Sequence, residues 1–244
     1  MFRSVVRFIK RWLPGRDEVQ HPGRFARQSV AMLRREYQGK PLVEEHLNSD
    51  PILQFEDWFE EATRVIRDDP NAMVLSTVDE EGRPTARTVL LKGFSEDGFI
   101  FYTNYDSPKG HHISRNPNVS LTFHWPDLMR QVRIDGIAEK TSEEQSDAYF
   151  HSRPAGSRIS AVASPQSKEV SSRQELENRV RELQERFKDL DDIPRPAHWG
   201  GYLVKPNRIE FWQGRVNRLH DRICYIPKKE GGKEGGWEFR RLAP

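Results

Sequence analysis

Hydrophobic and polar positions change period several times along the chain, and the changes mark out an α+β order. Asp50-Pro51 joins a capping side chain to a proline suited to a first helical turn. Phe55, Trp58, Phe59, Ala62, Val65 and Ile66 follow at helical spacing and predict a helix closed by Pro70. Short apolar runs come next: Met73–Val78, a turn at Asp79–Pro84, Thr85–Lys92, a turn at Ser95–Gly98, then Phe99–Asn104. Val119–Trp125 and Gln131–Glu139 read as a further antiparallel pair.

Thr141 with Glu144 fits a capping box opening a helix through Phe150, and Ser172 with Glu175 opens another. The latter carries Leu176, Val180, Leu183, Phe187 and Leu190 at heptad-like spacing. Asp191–Pro196 reads as a loop. Tyr202–Val204, Arg208–Gln213, Arg218–Ile226 and Trp237–Arg241 supply late strands, with Lys228–Gly236 as a hairpin tip. Many short antiparallel strands with few helices predict a barrel with helices packed around it.

The amino end differs. Phe2, Val5, Val6, Phe8, Ile9, Trp12 and Leu13 recur at helical spacing beside Arg3, Arg7, Lys10, Arg11 and Arg16. A helix of this kind could touch an anionic membrane surface or act as a targeting segment, though such extensions more often pack on their own protein or fray. Residues 1–28 are therefore set apart as a basic amphipathic extension, and 29–244 as the main domain.

Charge narrows the partners. Lys+Arg 39 against Asp+Glu 37 leaves a formal net charge of +2, which gives no support for nucleic-acid binding. The single cysteine, Cys224, excludes an intrachain disulfide and a cysteine-based zinc cluster. No metal-ligand spacing emerges from the 8 histidines, and there is no glycine-rich dinucleotide loop.

Candidate chemistry lies where cations, hydroxyls and aromatics coincide. If Arg218–Arg222 is extended, Arg218, His220 and Arg222 share one face, opposite Leu219 and Asp221. Such a face suits an anion, with Trp212 upstream as a flat apolar surface, and it equally describes a solvated edge strand. Arg87-Thr-Val-Leu-Leu-Lys92 is an apolar strand with a cation at each end; strict alternation puts Arg87 and Lys92 on opposite faces. Tyr102 and Thr103, through Pro108 to Lys109, form a strand-to-helix turn suited to phosphate. Arg130-Gln131, Tyr149 to Arg153 with Ser157, and Gln166-Ser167 complete the set. An ordinary polar turn or a helix end would explain each of these alone.

In their order and spacing these segments resemble the pyridoxine/pyridoxamine 5′-phosphate oxidases. Leu33-Arg-Arg-Glu-Tyr37, Arg87–Lys92, Phe101-Tyr-Thr-Asn104, Arg130-Gln131-Val132, Tyr149–Pro154, Phe211-Trp-Gln-Gly214, Arg218-Leu-His-Asp-Arg222 and Arg241-Leu-Ala-Pro244 carry the likeness, over roughly residues 30–244. The resemblance implies an FMN-binding split β-barrel, a homodimer with flavin at the subunit interface, and a cytoplasmic location. It implies oxidation of pyridoxamine or pyridoxine 5′-phosphate to pyridoxal 5′-phosphate, with dioxygen reduced to hydrogen peroxide. Carried over, Arg87, Thr88, Val89, Leu90, Leu91, Lys92, Tyr102, Thr103, Pro108, Lys109, Gln131, Gln166, Ser167, Trp212 and Arg222 would hold FMN. Arg34, Arg35, Glu36, Tyr37, Lys92, Tyr149, Arg153, Ser157, Arg218, Leu219 and His220 would hold the substrate, with Arg218 and His220 at the reacting carbon. The family usually has Ser-Arg-Lys where this chain has Ser107-Pro108-Lys109, so one phosphate-binding cation is missing. Arg158 and Val162 stand where glutamine and tryptophan are common. A related split-barrel flavoenzyme with another substrate, or a non-catalytic protein binding FMN or pyridoxal phosphate, is the rival expectation.

Overall fold

The computed structural model describes residues 36–188, 193–230 and 233–244. The amphipathic extension, Arg34, Arg35, Leu190 and Asp191 lie outside them. Gln38–Pro244 forms one unit.

Helix α1 (Pro51–Val65) starts as its sequence dictates: the Asp50 side chain accepts the Ile52 N–H, and Pro51 fills a position whose N–H would lack a partner. Its apolar face, Ile52, Phe55, Trp58 and Ala62, is buried against the sheet. Phe55 is fully buried, with its ring 5.1 Å from Phe94, 4.9 Å from Phe99 and 5.1 Å from Phe123.

The strands are β1 (Ala72–Val78), β2 (Pro84–Leu90), β3 (Gly93–Ser95), β4 (Gly98–Asn104), β5 (Asn118–Trp125), β6 (Arg130–Lys140), β7 (Trp199–Gln213), β8 (Asp221–Glu230) and β9 (Lys233–Leu242). All pair antiparallel in one sheet of order β2-β1-β5-β6-β7-β4-β3, with β8 on β7 and β9 on β8. Strand β7 organises the whole. One edge pairs with β6 along its length, while the other is shared, Trp199–Val204 with β4 and Ile209–Gln213 with β8. The sheet forks there, which gives the split-barrel fold. The two late strands expected at Tyr202–Val204 and Arg208–Gln213 are this single strand; Asn207, left without a partner opposite Asp135 and Gly136 of β6, is a bulge in β7 that takes up the irregularity near Pro206.

Helices α2 (Pro108–Arg115), α3 (Glu143–Ser152), α4 (Ala155–Ala163) and α5 (Arg173–Arg186) pack around the sheet. The capping box of α3 is Ser142 with Gln145, one residue beyond the expected Thr141 and Glu144. Thr141 instead bonds Ser146 through its hydroxyl, so it is committed to tertiary contact. In α5, Ser172 caps the Glu175 N–H as expected, and Val180, Leu183 and Phe187 pack on a second small core of Phe150, Ile159, Ile193 and Trp199. Helix α4 was not expected from the sequence; it begins after Pro154, whose carbonyl accepts the Ser157 and Arg158 N–H groups.

The largest departure from the sequence expectation lies at Arg218–Arg222. The extended backbone begins at Asp221; Val216–Arg218 is a 3₁₀ turn, and Asn217 and Arg218 adopt left-handed φ of 53° and 60°. The turn is fixed by the Leu219 N–H to the Val216 carbonyl and by the Arg215 N–H to His220 Nδ1. Such backbone costs about 1 kcal/mol or more per residue outside glycine, and it persists only where surroundings over-determine it.

Replacing Phe55 tests the main core. Phe55→Ala should destabilise the fold by about 3–5 kcal/mol through lost transfer energy and an unfilled cavity, read by denaturant unfolding. A loss under about 1 kcal/mol would show that this ring is not the joint between helix and sheet.

Candidate functional site

Two groups of the singled-out residues form, one between the β1–β2 hairpin, the start of α2 and β4, the other on the β8 branch of β7. The first begins on the β1–β2 hairpin. Arg87 is registered with Leu75, so it sits on the inward face, where its guanidinium lies back over the hairpin. Its Nη1 donates to the Leu75 carbonyl at 3.1 Å and to Thr77 Oγ1 at 2.8 Å, and its Nη2 donates to Thr85 Oγ1 at 2.6 Å. Lys109, in the first turn of α2, is buried. Its Nζ donates to Thr103 Oγ1 at 3.2 Å, Ser107 Oγ at 3.0 Å and Gln166 Oε1 at 2.6 Å.

Burial, and then the nearby Arg87 charge, pull the Lys109 ammonium down to about 8. Burial also lowers Arg87. Among the described residues neither cation has a carboxylate partner. Two cations sharing one place repel unless an anion joins them, and the amino end of α2 adds backbone N–H groups of the same polarity. Pro108 occupies the first helical position, where proline is favoured; the turn is well formed even though it lacks an arginine.

Beside this cradle lies an aromatic stack. The Tyr102 ring is 3.9 Å from Tyr149 and 5.5 Å from Trp199, near-parallel to both. Gly200 and Gly201 permit it: a Cβ on Gly201 would come 2.9 Å from Tyr102 Cε1, and one on Gly200 2.2 Å from the Tyr105 hydroxyl. Arg153, where α3 passes to α4, lies 4.8 Å over the Trp199 ring. Its Nη1 is buried and has no hydrogen-bond partner among the described residues. A buried guanidinium nitrogen without an acceptor costs free energy unless a ligand supplies one. Ser157 is half-buried in the first turn of α4.

The second group lies at the other branch. Gln131, Trp212 and Arg222 are register partners on β6, β7 and β8 and share one sheet face. The His220 ring lies 4.6 Å from the Trp212 ring. Because His220 Nδ1 accepts the Arg215 N–H at 3.1 Å, the neutral ring carries its proton on Nε2. Burial, and then Arg218, lower its pKa, so the ring is neutral at pH 7. Arg218 and Leu219 are exposed, Leu219 at 70%. Arg222 donates to Glu210 Oε1 and the Ala243 carbonyl.

The remaining singled-out residues divide. Strand β2 ends at Leu90, so alternation does not carry from Arg87 to Lys92, which is exposed. Thr88, Val89, Leu90 and buried Leu91 continue the same segment. Gln166 joins the Lys109 cluster, and Ser167 follows it at a φ of 67°. Glu36 is exposed and Tyr37 half-buried. Arg130 is taken up structurally by Glu61, Gln213 and the Trp58 ring. Sequence reading missed Trp199 and Glu210. The Trp199-Gly-Gly201 triplet was the available sign, a large ring followed by room for others.

Residues 59–187 match the family described as Pyridoxamine 5′-phosphate oxidase, and residues 199–244 match its Pyridoxine 5′-phosphate oxidase C-terminal dimerisation region. A pyridoxine/pyridoxamine 5′-phosphate oxidase of Rubrobacter xylanophilus is 56% identical over 219 residues, 90% of this chain and 98% of the relative. One of Bordetella pertussis is 52% identical over 216 residues, 88% and 100% of the two chains. Among solved structures, PhzG from Burkholderia lata in complex with tetrahydrophenazine-1-carboxylic acid superposes with a TM-score of 0.76 at 27% identity, over 85% of this chain and all of that one. A pyridoxamine 5′-phosphate oxidase-related, FMN binding protein from Nostoc punctiforme gives 0.62 at 18% identity, over 82% and 99%, a likeness of fold.

The lowered Lys109 gives a test of the cradle. Its charge is present below pH 8 and lost as pH rises through about 8. A phosphate-bearing flavin should therefore bind the apoprotein roughly tenfold more weakly at pH 9 than at pH 7, the ratio of protonated fractions. Lys109→Arg should flatten the profile. A flat profile in the parent protein would remove Lys109 from the anion site.

Proposed function

The chain belongs to the pyridoxine/pyridoxamine 5′-phosphate oxidase family of oxidoreductases, and we propose that it oxidises pyridoxamine or pyridoxine 5′-phosphate to pyridoxal 5′-phosphate as an FMN-dependent homodimer. The observation that carries this reading is the pair of cationic places on either side of the Tyr102 stack. Arg87 with Lys109 forms one, and Arg153, with its partnerless Nη1, forms the other. One ligand phosphate for each is the composition of a flavin nucleotide plus a phosphorylated substrate.

Arg87, Lys109, Thr103 and Gln166 are suited to the FMN phosphate, with Tyr102, Pro108, Ser167 and the Arg87–Lys92 backbone around it. When bound, FMN supplies the two-electron acceptor, and dioxygen carries the electrons on to hydrogen peroxide, ammonia being released as well when the substrate is the amine. Tyr149, Arg153, Ser157 and Lys92 are suited to the substrate phosphate by charge-assisted hydrogen bonds. Arg34, Arg35, Glu36, Tyr37 and Leu219 stay in the proposed substrate set by resemblance.

Gln131, Trp212 and Arg222 are assigned to the flavin, and Arg218 and His220 to the reacting carbon. They stand at the far end of β7, on the order of 30 Å along the strand from Gly201 at ~3.3 Å per residue. We therefore assign them to the site of a second subunit. The match to a dimerisation region supports this, as do Val216 and Leu219, 49% and 70% exposed on the same turn. His220 would offer its Nε2–H as a donor to the substrate ring. Its Nδ1 lone pair is engaged by the Arg215 N–H, which leaves Nε2 as the donor edge of the ring.

The likeness to PhzG favours a second reading, in which the oxidised ring carries a carboxylate in place of a phosphate ester. Substrate assays separate the two. With pyridoxamine phosphate, Arg218→Ala and His220→Ala should each slow peroxide-coupled aldehyde formation at least tenfold while flavin absorbance is retained. Arg153→Ala should raise KM about ten- to a hundredfold, the loss of one charged hydrogen bond. Parent-like kinetics in all three variants, or turnover of a tetrahydrophenazine carboxylate alone, would overturn the assignment.

A further inference from the structure

We propose that His112 is a positioning residue for Arg87 and that it sets the affinity of the site for the phosphate of its flavin. The inference rests on the flavin reading above and adds a group that does not itself touch the ligand.

His112 lies in α2, one turn after Lys109, and faces the β1–β2 hairpin from the other side of the threonine pair. Its Nδ1 is 3.0 Å from Thr77 Oγ1 and 3.3 Å from Thr85 Oγ1, and the two hydroxyls are 3.1 Å apart. Both hydroxyls already accept from the Arg87 guanidinium, which has no lone pair to return. Each threonine must therefore send its single hydroxyl hydrogen elsewhere. With Nδ1 as acceptor the count closes: Thr85 donates to Thr77, and Thr77 donates to His112. With a hydrogen on Nδ1, the second hydroxyl hydrogen has only the Thr77 carbonyl, 3.5 Å from Thr85 Oγ1. The imidazole is thus the terminal acceptor of a chain running Arg87–Thr85–Thr77–His112.

The chain has a consequence for binding. Thr77 is 1% exposed, so a hydroxyl robbed of its acceptor has no water to turn to. Without His112 the threonines reorient, and the guanidinium loses the fixed pair of acceptors that aims it. Arg87 is then a mobile cation whose ordering must be supplied by the ligand, which lowers affinity. Only a ligand with a phosphate at Arg87 feels this loss.

The test compares FMN with riboflavin, which has the same ring and no phosphate. Dissociation constants come from quenching of flavin fluorescence by apoprotein stripped of its flavin. His112→Ala should weaken FMN about five- to tenfold and leave riboflavin within about twofold. His112→Asn places an acceptor oxygen near the Nδ1 position and should return FMN to within about threefold of the parent; His112→Gln, whose oxygen reaches the Nε2 position, should not. In an Arg87→Met background His112→Ala should have no further effect on FMN. Equal losses for FMN and riboflavin, parent-like FMN binding in His112→Ala, or additive losses with Arg87→Met would each overturn the positioning role. A parent protein that binds neither flavin, or binds both alike, would instead remove the flavin-phosphate reading on which the inference rests.

Discussion

Everything in this fold is referred to β7. A strand of its length has more hydrogen-bonding edge than any one neighbour uses, and the second edge is divided between β4 and β8. The division requires the sheet to open, and the opening carries aromatic rings to two separate places. Gly200 and Gly201 let Tyr102 and Tyr105 close down on one branch, while Trp212 marks the other. Helix α1 fills the concave side with Phe55 and Trp58, so the branches are held by one shared core. Arg87, Tyr102, Thr103, Gln131, Trp212 and Arg222 are therefore set by sheet register, and a slip of one residue would turn each of them to the opposite face.

Electrostatics then distinguish the branches. On the β8 branch the cations are balanced internally: Glu210, almost wholly buried, accepts from Arg133, Arg208 and Arg222. Between the β1–β2 hairpin, the start of α2 and β4, Arg87 and Lys109 meet hydroxyls and an amide oxygen, which orient a cation without neutralising it. The same contrast explains why Lys109 is pulled down to about 8 while it still holds three hydrogen bonds. A site built in this way is stable only in part until an anion enters, and binding and charge state are linked.

Much of this was legible in the chain. Asp50-Pro51, the alternation of β1 and β5, and the ordered motifs from Arg87 to Arg222 gave the class of fold and the residues worth placing. Three things were not. Alternation read Arg218 and His220 as strand, because nothing local announces two left-handed residues at Asn217 and Arg218; the turn exists through the His220 ring accepting a backbone N–H. The single long β7 was hidden by Pro206, which breaks the propensity and is absorbed by a bulge at Asn207 in β7 itself. The roles of Trp199, Ser107 and Glu210 depend on contacts between residues far apart in sequence, which no spacing records.

The central claim is that the two branches complete one another across a subunit boundary. Subunit mixing between Arg153→Ala and Arg218→Ala tests it most directly. Each variant alone lacks one half of every site. If the halves come from different subunits, coexpressed and randomly paired chains give about half mixed dimers, each with one intact site, and recover roughly a quarter of parent activity. Activity no higher than the mean of the two separate variants, in a mixture shown to contain mixed dimers, would contradict the account and return both halves to a single chain.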